Sequence, residues 1–213
     1  MNLLIDGFPT EIIDVNGTLY FDTDTLSDED NEYEGVCTHY QIITDYKAII
    51  DIFMMYEDNA LTDEEKAYFM LKMLYIDDIP ADTMKAFNKA MEFLNCGKQE
   101  DSSKSSKINS RLFSWEQDGN YIYSAMNYSH NEILKREPDL HWWEFYNKFM
   151  QLKEDCKFND IVNNRLAYRK GKMTNEQKAA RREFPDMYIL KDQRRIDNKA
   201  IEEIKRMEDM LNS

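Results

Sequence analysis

The sequence predicts a mainly α protein, a helical bundle with an N-terminal β-hairpin. Three observations carry this. Asn16-Gly17 separates two short runs of β-favouring residues. From Thr44 onward, apolar residues recur three and four apart behind residues that cap helices well. With only 6 Gly and 4 Pro in 213 residues, the chain has too few turn residues for sandwiches, propellers or glycine-looped nucleotide folds.

The hairpin pairs Glu11–Val15 with Thr18–Phe21, because Asn-Gly best tolerates the two positive φ angles of a type I′ turn. Asp22 to Glu34 follows with seven acids in thirteen residues and reads as an exposed loop or disordered insertion. Thr44 then caps a helix that turns Ile49, Ile50, Phe53 and Met54 to one side. Thr62-Asp63-Glu64-Glu65 is a capping box in which hydroxyl and carboxylate each satisfy a free amide. Phe69, Met70, Met73 and Leu74 recur at helical spacing behind it, and Ile79-Pro80 is expected to break that helix. A third helix runs from about Ala81 through Met84, Phe87, Met91 and Leu94, and Gly97 ends it.

Residues 98–107 contain no apolar side chain and are expected to form a linker. It divides residues 1–97 from an aromatic-rich helical part, 108–190, with a charged C-terminal helix over 191–213. In that second part Ser114 caps a helix with Tyr121, Ile122, Ala125 and Met126 inward. Asp139 opens another carrying Trp142, Trp143, Tyr146, Phe149 and Met150, and a shorter one surrounds Phe158, Ile161 and Val162. The remainder from Asn175 is charged and largely helical, interrupted at Pro185.

Charge is unevenly spread. The net charge is −14, yet residues 1–65 hold 17 acids against a single base, Lys47. Phosphates would be repelled there, so nucleic-acid binding through that third is not expected. Residues 165–206 carry 13 basic and 7 acidic side chains, but aromatic interleaving is thin, and a solvated helix face accounts for them. The same segment suits the acidic region of a neighbouring subunit, so a homo-oligomer is one expected partner. Three widely spaced cysteines, no basic leader and no run of ~20 apolar residues point to a reducing cytoplasm without a membrane span.

Chemistry-bearing patterns are missing. The three histidines are far apart, the acidic run lacks the glycine and glutamate spacing of a calcium loop, and there is no phosphate loop or glycine-flanked serine. An enzyme is not expected, and neither is a metal or cofactor. Two features remain. The block Asp139–Met150 is too aromatic for one face: it is either the centre of the core or a partner groove. The 13 Met suit irregular packing, or a surface that accepts varied apolar partners. The candidate partner-binding residues are Trp142, Trp143, Phe145, Tyr146, Phe149, Met150, Trp115 and Tyr121.

Several blocks together resemble a known family. They are Leu4-Ile5-Asp6-Gly7-Phe8-Pro9-Thr10-Glu11-Ile12 with the Asn16-Gly17 turn, Ile43-Thr44-Asp45-Tyr46-Lys47, and Leu61-Thr62-Asp63-Glu64-Glu65-Lys66. Phe93-Leu94-Asn95-Cys96-Gly97-Lys98 and Phe113-Ser114-Trp115-Glu116-Gln117-Asp118 follow, and Asp139-Leu140-His141-Trp142-Trp143-Glu144-Phe145 is the most specific. Spanning residues 3–190, they resemble the tail assembly chaperones of Gram-positive siphophages and prophages, encoded near the tape measure protein. About residues 22–41 look like an insert relative to that family, and nothing after Leu190 has a counterpart.

The resemblance implies a chaperone in the host bacterial cytoplasm. It would bind and solubilise the long helical tape measure protein, help recruit major tail protein, and be absent from the mature virion. A structural tail or connector protein retained in the virion, or a nucleic-acid-binding regulator, is the alternative. In the chaperone reading, Trp143→Ala is expected to weaken client binding more than folding.

Overall fold

The computed structural model describes residues 7–24, 37–98 and 111–191. Most of the acidic run after the hairpin, nearly all of the expected linker and the C-terminal helix lie outside them. The described residues form three strands, β1 (Glu11–Val15), β2 (Thr18–Phe21) and β3 (Cys37–Gln41), and nine helices. The helices are α1 (Tyr46–Glu57), α2 (Asp63–Leu74), α3 (Thr83–Leu94), α4 (Trp115–Ser129), α5 (Ile133–Arg136), α6 (Trp142–Phe149), α7 (Lys157–Arg169), α8 (Asn175–Glu183) and α9 (Pro185–Tyr188). The fold is mainly α, as predicted.

Two compact units share the chain, and they interleave. Described residues up to 98 join 135–151 in the first, and 111–134 join 152–191 in the second. A division at one linker would have left α6 with the C-terminal half. Instead the aromatic helix belongs with the N-terminal sheet and α1 to α3.

In the first unit the predicted hairpin forms with Asn16 at φ 53° and Gly17 at φ 80°, and the Gly17 amide donates to Asp14 Oδ1 at 2.7 Å. It is part of a three-stranded antiparallel sheet ordered β2-β1-β3, in which Ile12 opposes both Phe21 and Tyr40. Strand β3 lies inside the stretch expected to be an insert. Being an edge strand with Cys37, Thr38, His39 and Gln41 exposed, it lacks the apolar alternation that signals a half-buried strand. The first residues of the acidic run are also structural. Asp22 accepts the Thr10 amide at 3.1 Å and its hydroxyl at 2.8 Å, and Asp24 accepts the Phe21 amide at 2.8 Å.

The helix starts follow capping chemistry, with shifts of one or two residues from the predictions. Thr62 closes its capping box at α2. Asp45, not Thr44, caps α1 through the Lys47 amide at 2.6 Å, while the Thr44 carbonyl accepts the Trp142 amide at 2.6 Å. At α6 the cap is His141 rather than Asp139: its imidazole accepts the Trp143 amide at 3.0 Å. Helix α2 stops well before Pro80, because Tyr75 turns extended and bridges Ile42.

The core of the first unit is aromatic. Trp142, Trp143 and Phe145 are fully buried with Phe21, Phe93, Ile12, Ile49 and Ile52. Trp143 meets Phe21 edge-on at 5.8 Å and tilts against Phe93 at 5.9 Å. Both indoles find backbone acceptors at the end of α3: Trp142 Nε1–H donates to the Leu94 carbonyl at 3.0 Å, and Trp143 Nε1–H to the Phe93 carbonyl at 2.8 Å. Gly97, at φ 76°, turns the chain away immediately afterwards, and a Cβ there would lie 3.2 Å from the Trp143 ring.

The second unit gathers around a buried ion pair. Arg165 on α7 meets both oxygens of Asp118 on α4 at 2.5 and 3.0 Å, with side chains only 3% and 1% exposed. The guanidinium also donates to the carbonyls of Leu112 and Met187, and Asp118 accepts the Ser114 amide, so the pair's hydrogen-bonding capacity is largely used. Helix α7 is longer than the expected short turn, running 13 residues from Lys157, and Pro185 sits in the first turn of α9, where no amide is missed.

Trp143 at 2% exposure has no surface left to offer a partner, so its first duty is to the fold. Trp143→Ala therefore lowers stability by about 3–5 kcal/mol in urea or thermal unfolding. Unchanged stability in that variant would contradict the packing described.

Candidate functional site

The expected partner-binding residues fall into three groups. Trp142, Trp143 and Phe145 are core, Phe145 stacking on Tyr46 at 4.5 Å. Tyr146 and Phe149 are half-buried beside them, with the Lys98 ammonium 5.8 Å from the Tyr146 ring and Phe149 stacked on Phe145. Only Met150 is open, at 62% exposure. Trp115 and Tyr121 belong to the second unit, so the eight are not brought into one site. Trp115 is half-buried edge-on to Phe113, and Tyr121 lines a hollow of about 500 Å³ with Gln117, Phe184 and Met187.

A better candidate arises on α3. The apolar series that marks this helix in the sequence is Met84, Phe87, Met91 and Leu94. The buried residues are Ala86, Lys89, Ala90, Phe93 and Leu94, so of that series only Leu94 is buried. The reason is volume. The two indoles and Phe21 already fill the space beside α3, and alanines at i and i+4 let the helix approach. The displaced residues Met84, Phe87 and Met91, spaced i, i+3 and i+7, form the opposite face, with Met84 67% exposed.

This face borders a groove. A hollow of about 650 Å³ is lined by Leu19 and Thr18 of the hairpin and by Phe87, Met91, Asn88 and Asn95 of α3 and its end. Lys85, Lys89 and Lys98 rim it, with Glu92 the sole acid among the described residues of the lining. Lys85 Nζ donates to the Gly17 carbonyl at 2.5 Å, tying the hairpin turn to the helix. Lys89 is 9% exposed and held by Asp24 at 3.2 Å, by Glu92 at 3.3 Å, and over the Phe21 ring at 3.8 Å. The groove wall is thereby fixed before anything binds, which lowers the ordering cost of docking. Sequence reasoning missed the site because it followed aromatic density to residues 139–150 and named no candidate on this helix. The signal lay in Ala86, Ala90 and Phe93, a second stripe on the same helix.

Among the described residues no group of three His, Cys, Asp or Glu is placed to hold a metal ion. Burial pushes the Cys96 thiol up to about 12, against a smaller opposing pull from Lys98, which leaves it a poor nucleophile. No helix among the described residues is long and apolar enough to cross a membrane.

Residues 26–190 match the family described as Bacteriophage Gp15 protein. The matched span opens inside the stretch set aside as an insert, leaves out the hairpin that the resemblance had included, and ends at Leu190 as that resemblance did. No curated protein matches the chain, and no solved structure does.

His141 ties the N-terminal segment to the aromatic helix. It stacks on Phe8 at 4.9 Å, and Nε2 lies 2.8 Å from the Pro9 carbonyl. A carbonyl on Nε2 and an amide on Nδ1 together require the neutral ring with its proton on Nε2. Burial holds its pKa below the usual histidine range, although the Pro9 carbonyl, Glu144 and Asp22 pull the other way. The unfolded chain thus takes up this proton at higher pH than the fold does. The stability His141 contributes is complete above the ordinary value of ~6.5 and is lost as pH falls through the depressed folded value. Melting temperature should fall between about pH 7 and pH 5, and less steeply in His141→Asn, which caps without titrating. An identical slope in both proteins would contradict this role.

Proposed function

The chain belongs to the Bacteriophage Gp15 protein family, and from that premise we propose that it is a tail assembly chaperone. In this reading it binds the phage's tape measure protein and keeps it soluble in the host cytoplasm. It helps recruit major tail protein and leaves before the virion is complete. It is a binding protein and not an enzyme, and takes no cofactor.

One observation carries the proposal: on the outer side of α3, Phe87 and Met91 line a preformed groove, and Met84, 67% exposed, continues their stripe beyond it. A tape measure protein is long, apolar and helical, and presents side chains at i, i+3, i+4 and i+7. An apolar seam at the same spacing accepts such a helix. Methionine's flexible thioether suits a client whose successive segments differ in shape. The lysine rim adds contacts to acidic flanks. Modest affinity at each site permits displacement by tail subunits, while many copies on one client hold it by avidity.

Co-expression with the tape measure protein of the same phage tests this. The wild-type chain should co-purify with a soluble client. Met84→Glu with Met91→Glu should reduce the recovered client about tenfold or more with little change in melting temperature, since Met84 is exposed and Met91 only half-buried. Full recovery with the double variant would overturn the groove assignment. Stoichiometric amounts of the chain in purified virions would favour a structural tail component instead.

A further inference from the structure

The corner between α7 and α8 in the second unit concentrates positive charge on a strongly acidic protein. From 169 to 182 the chain carries six Lys or Arg and one acid, Glu176. Local folding holds them together: Gly171 at φ 65° turns the chain out of α7, and the Thr174–Gln177 capping box starts α8 three residues later. Tyr168, 52% exposed, forms the floor with the Arg181 guanidinium 3.9 Å over its ring. Arg181 also donates to the Tyr188 carbonyl at 2.6 Å, so this floor is rigid. A hollow of about 330 Å³ opens there, lined by Tyr168, Gly171, Met173, Lys178, Arg181 and Arg182. Lys170, Lys172, Lys178 and Arg182 are exposed and make no ion pair among the described residues. Here an aromatic and apolar floor lies under a rim of unneutralised bases.

The first unit bears the opposite pattern. On and just beyond α2, Tyr68, Phe69 and Ile76 are exposed. Asp63, Glu64, Glu65, Asp77 and Asp78 are exposed on the same stretch, against one exposed base, Lys72. Apolar side chains on a stretch with five exposed acids against one exposed base complement apolar side chains rimmed by bases. A net charge of −14 repels a polyphosphate at long range, whereas it places acidic surface on every copy of the chain.

We propose that the basic Tyr168 corner docks the acidic α2 surface of a second copy of this chain. The two patches differ, so the contact is heterologous and each added copy exposes both surfaces again. Such contacts grow into chains or rings rather than stopping at a symmetric dimer. A row of copies would match a long helical client, which is the one point at which this inference leans on the proposed function. Self-association itself is measured on the chain alone.

Sedimentation velocity on the nuclease-treated full chain tests it. At about 50 mM salt the mass should grow with concentration beyond a dimer, and at about 500 mM it should return to monomer, because exposed charges are then screened. Lys178→Gln with Arg182→Gln should be monomeric in low salt, and so should Glu64→Gln with Asp77→Asn. All four residues are exposed, so both variants should keep wild-type melting curves. Mixed in equal amounts, the two variants retain one intact surface each and should stop at a heterodimer. A monomeric wild type at low salt, undiminished association in either variant, or association that needs added nucleic acid would overturn the proposal.

Discussion

Two adjacent tryptophans impose the condition that organises the first unit. Each carries a large apolar ring and one N–H that must be met when buried. An indole N–H left without a partner in a dry core costs about 1–3 kcal/mol, more than a made hydrogen bond returns. The final carbonyls of α3 have accepting capacity to spare, even where, as at Phe93, one takes the Cys96 amide at 3.0 Å. Trp142 and Trp143 donate to the carbonyls of Leu94 and Phe93, so both indole donors are met at the end of one helix. The match requires α3 to end there and the chain to leave at once, which Gly97 accomplishes in a conformation and a space that exclude a side chain. It also requires α6 to return to the first unit from far along the sequence, which explains why the units interleave.

The rest of the unit follows from that seating. With the indoles beside it, α3 buries Ala86, Lys89, Ala90, Phe93 and Leu94, and Met84, Phe87 and Met91 are left exposed or half-buried. The hairpin completes the groove wall, held by Lys85 on the Gly17 carbonyl and by Lys89 between Asp24, Glu92 and the Phe21 ring. The surface offered for docking is thus a by-product of how the core is filled. It lies away from the most aromatic part of the sequence.

Much of the fold was legible because local chemistry decided it. Asn16-Gly17 dictates its turn, the Thr62 and Ser114 caps start their helices, and Gly97 stops one. What escaped was set by tertiary context. Strand β3 has no apolar alternation because it lies at the sheet edge. Asp45 displaced Thr44 as a cap because the Thr44 carbonyl is bound by the Trp142 amide, and His141 displaced Asp139 through its ring nitrogen. The candidate site was the least legible. An apolar residue at helical spacing says that a helix has two faces, and does not say which face the core will take. Aromatic density, a fair signal of importance, marked structural residues here. Arg165 shows the same limit: read as one of a basic run, it is the buried partner of Asp118.

Hydrogen exchange, followed by mass spectrometry on the chain alone and on its co-purified complex with the tape measure protein, tests the central claim most directly. If the core claims the aromatic helix and leaves α3 for the client, binding slows exchange in residues 83–95 and at the hairpin turn. Residues 142–149 are already protected in the free chain and stay unchanged. Rapid exchange of 142–149 in the free chain, slowed by the client while 83–95 are unaffected, would contradict the account.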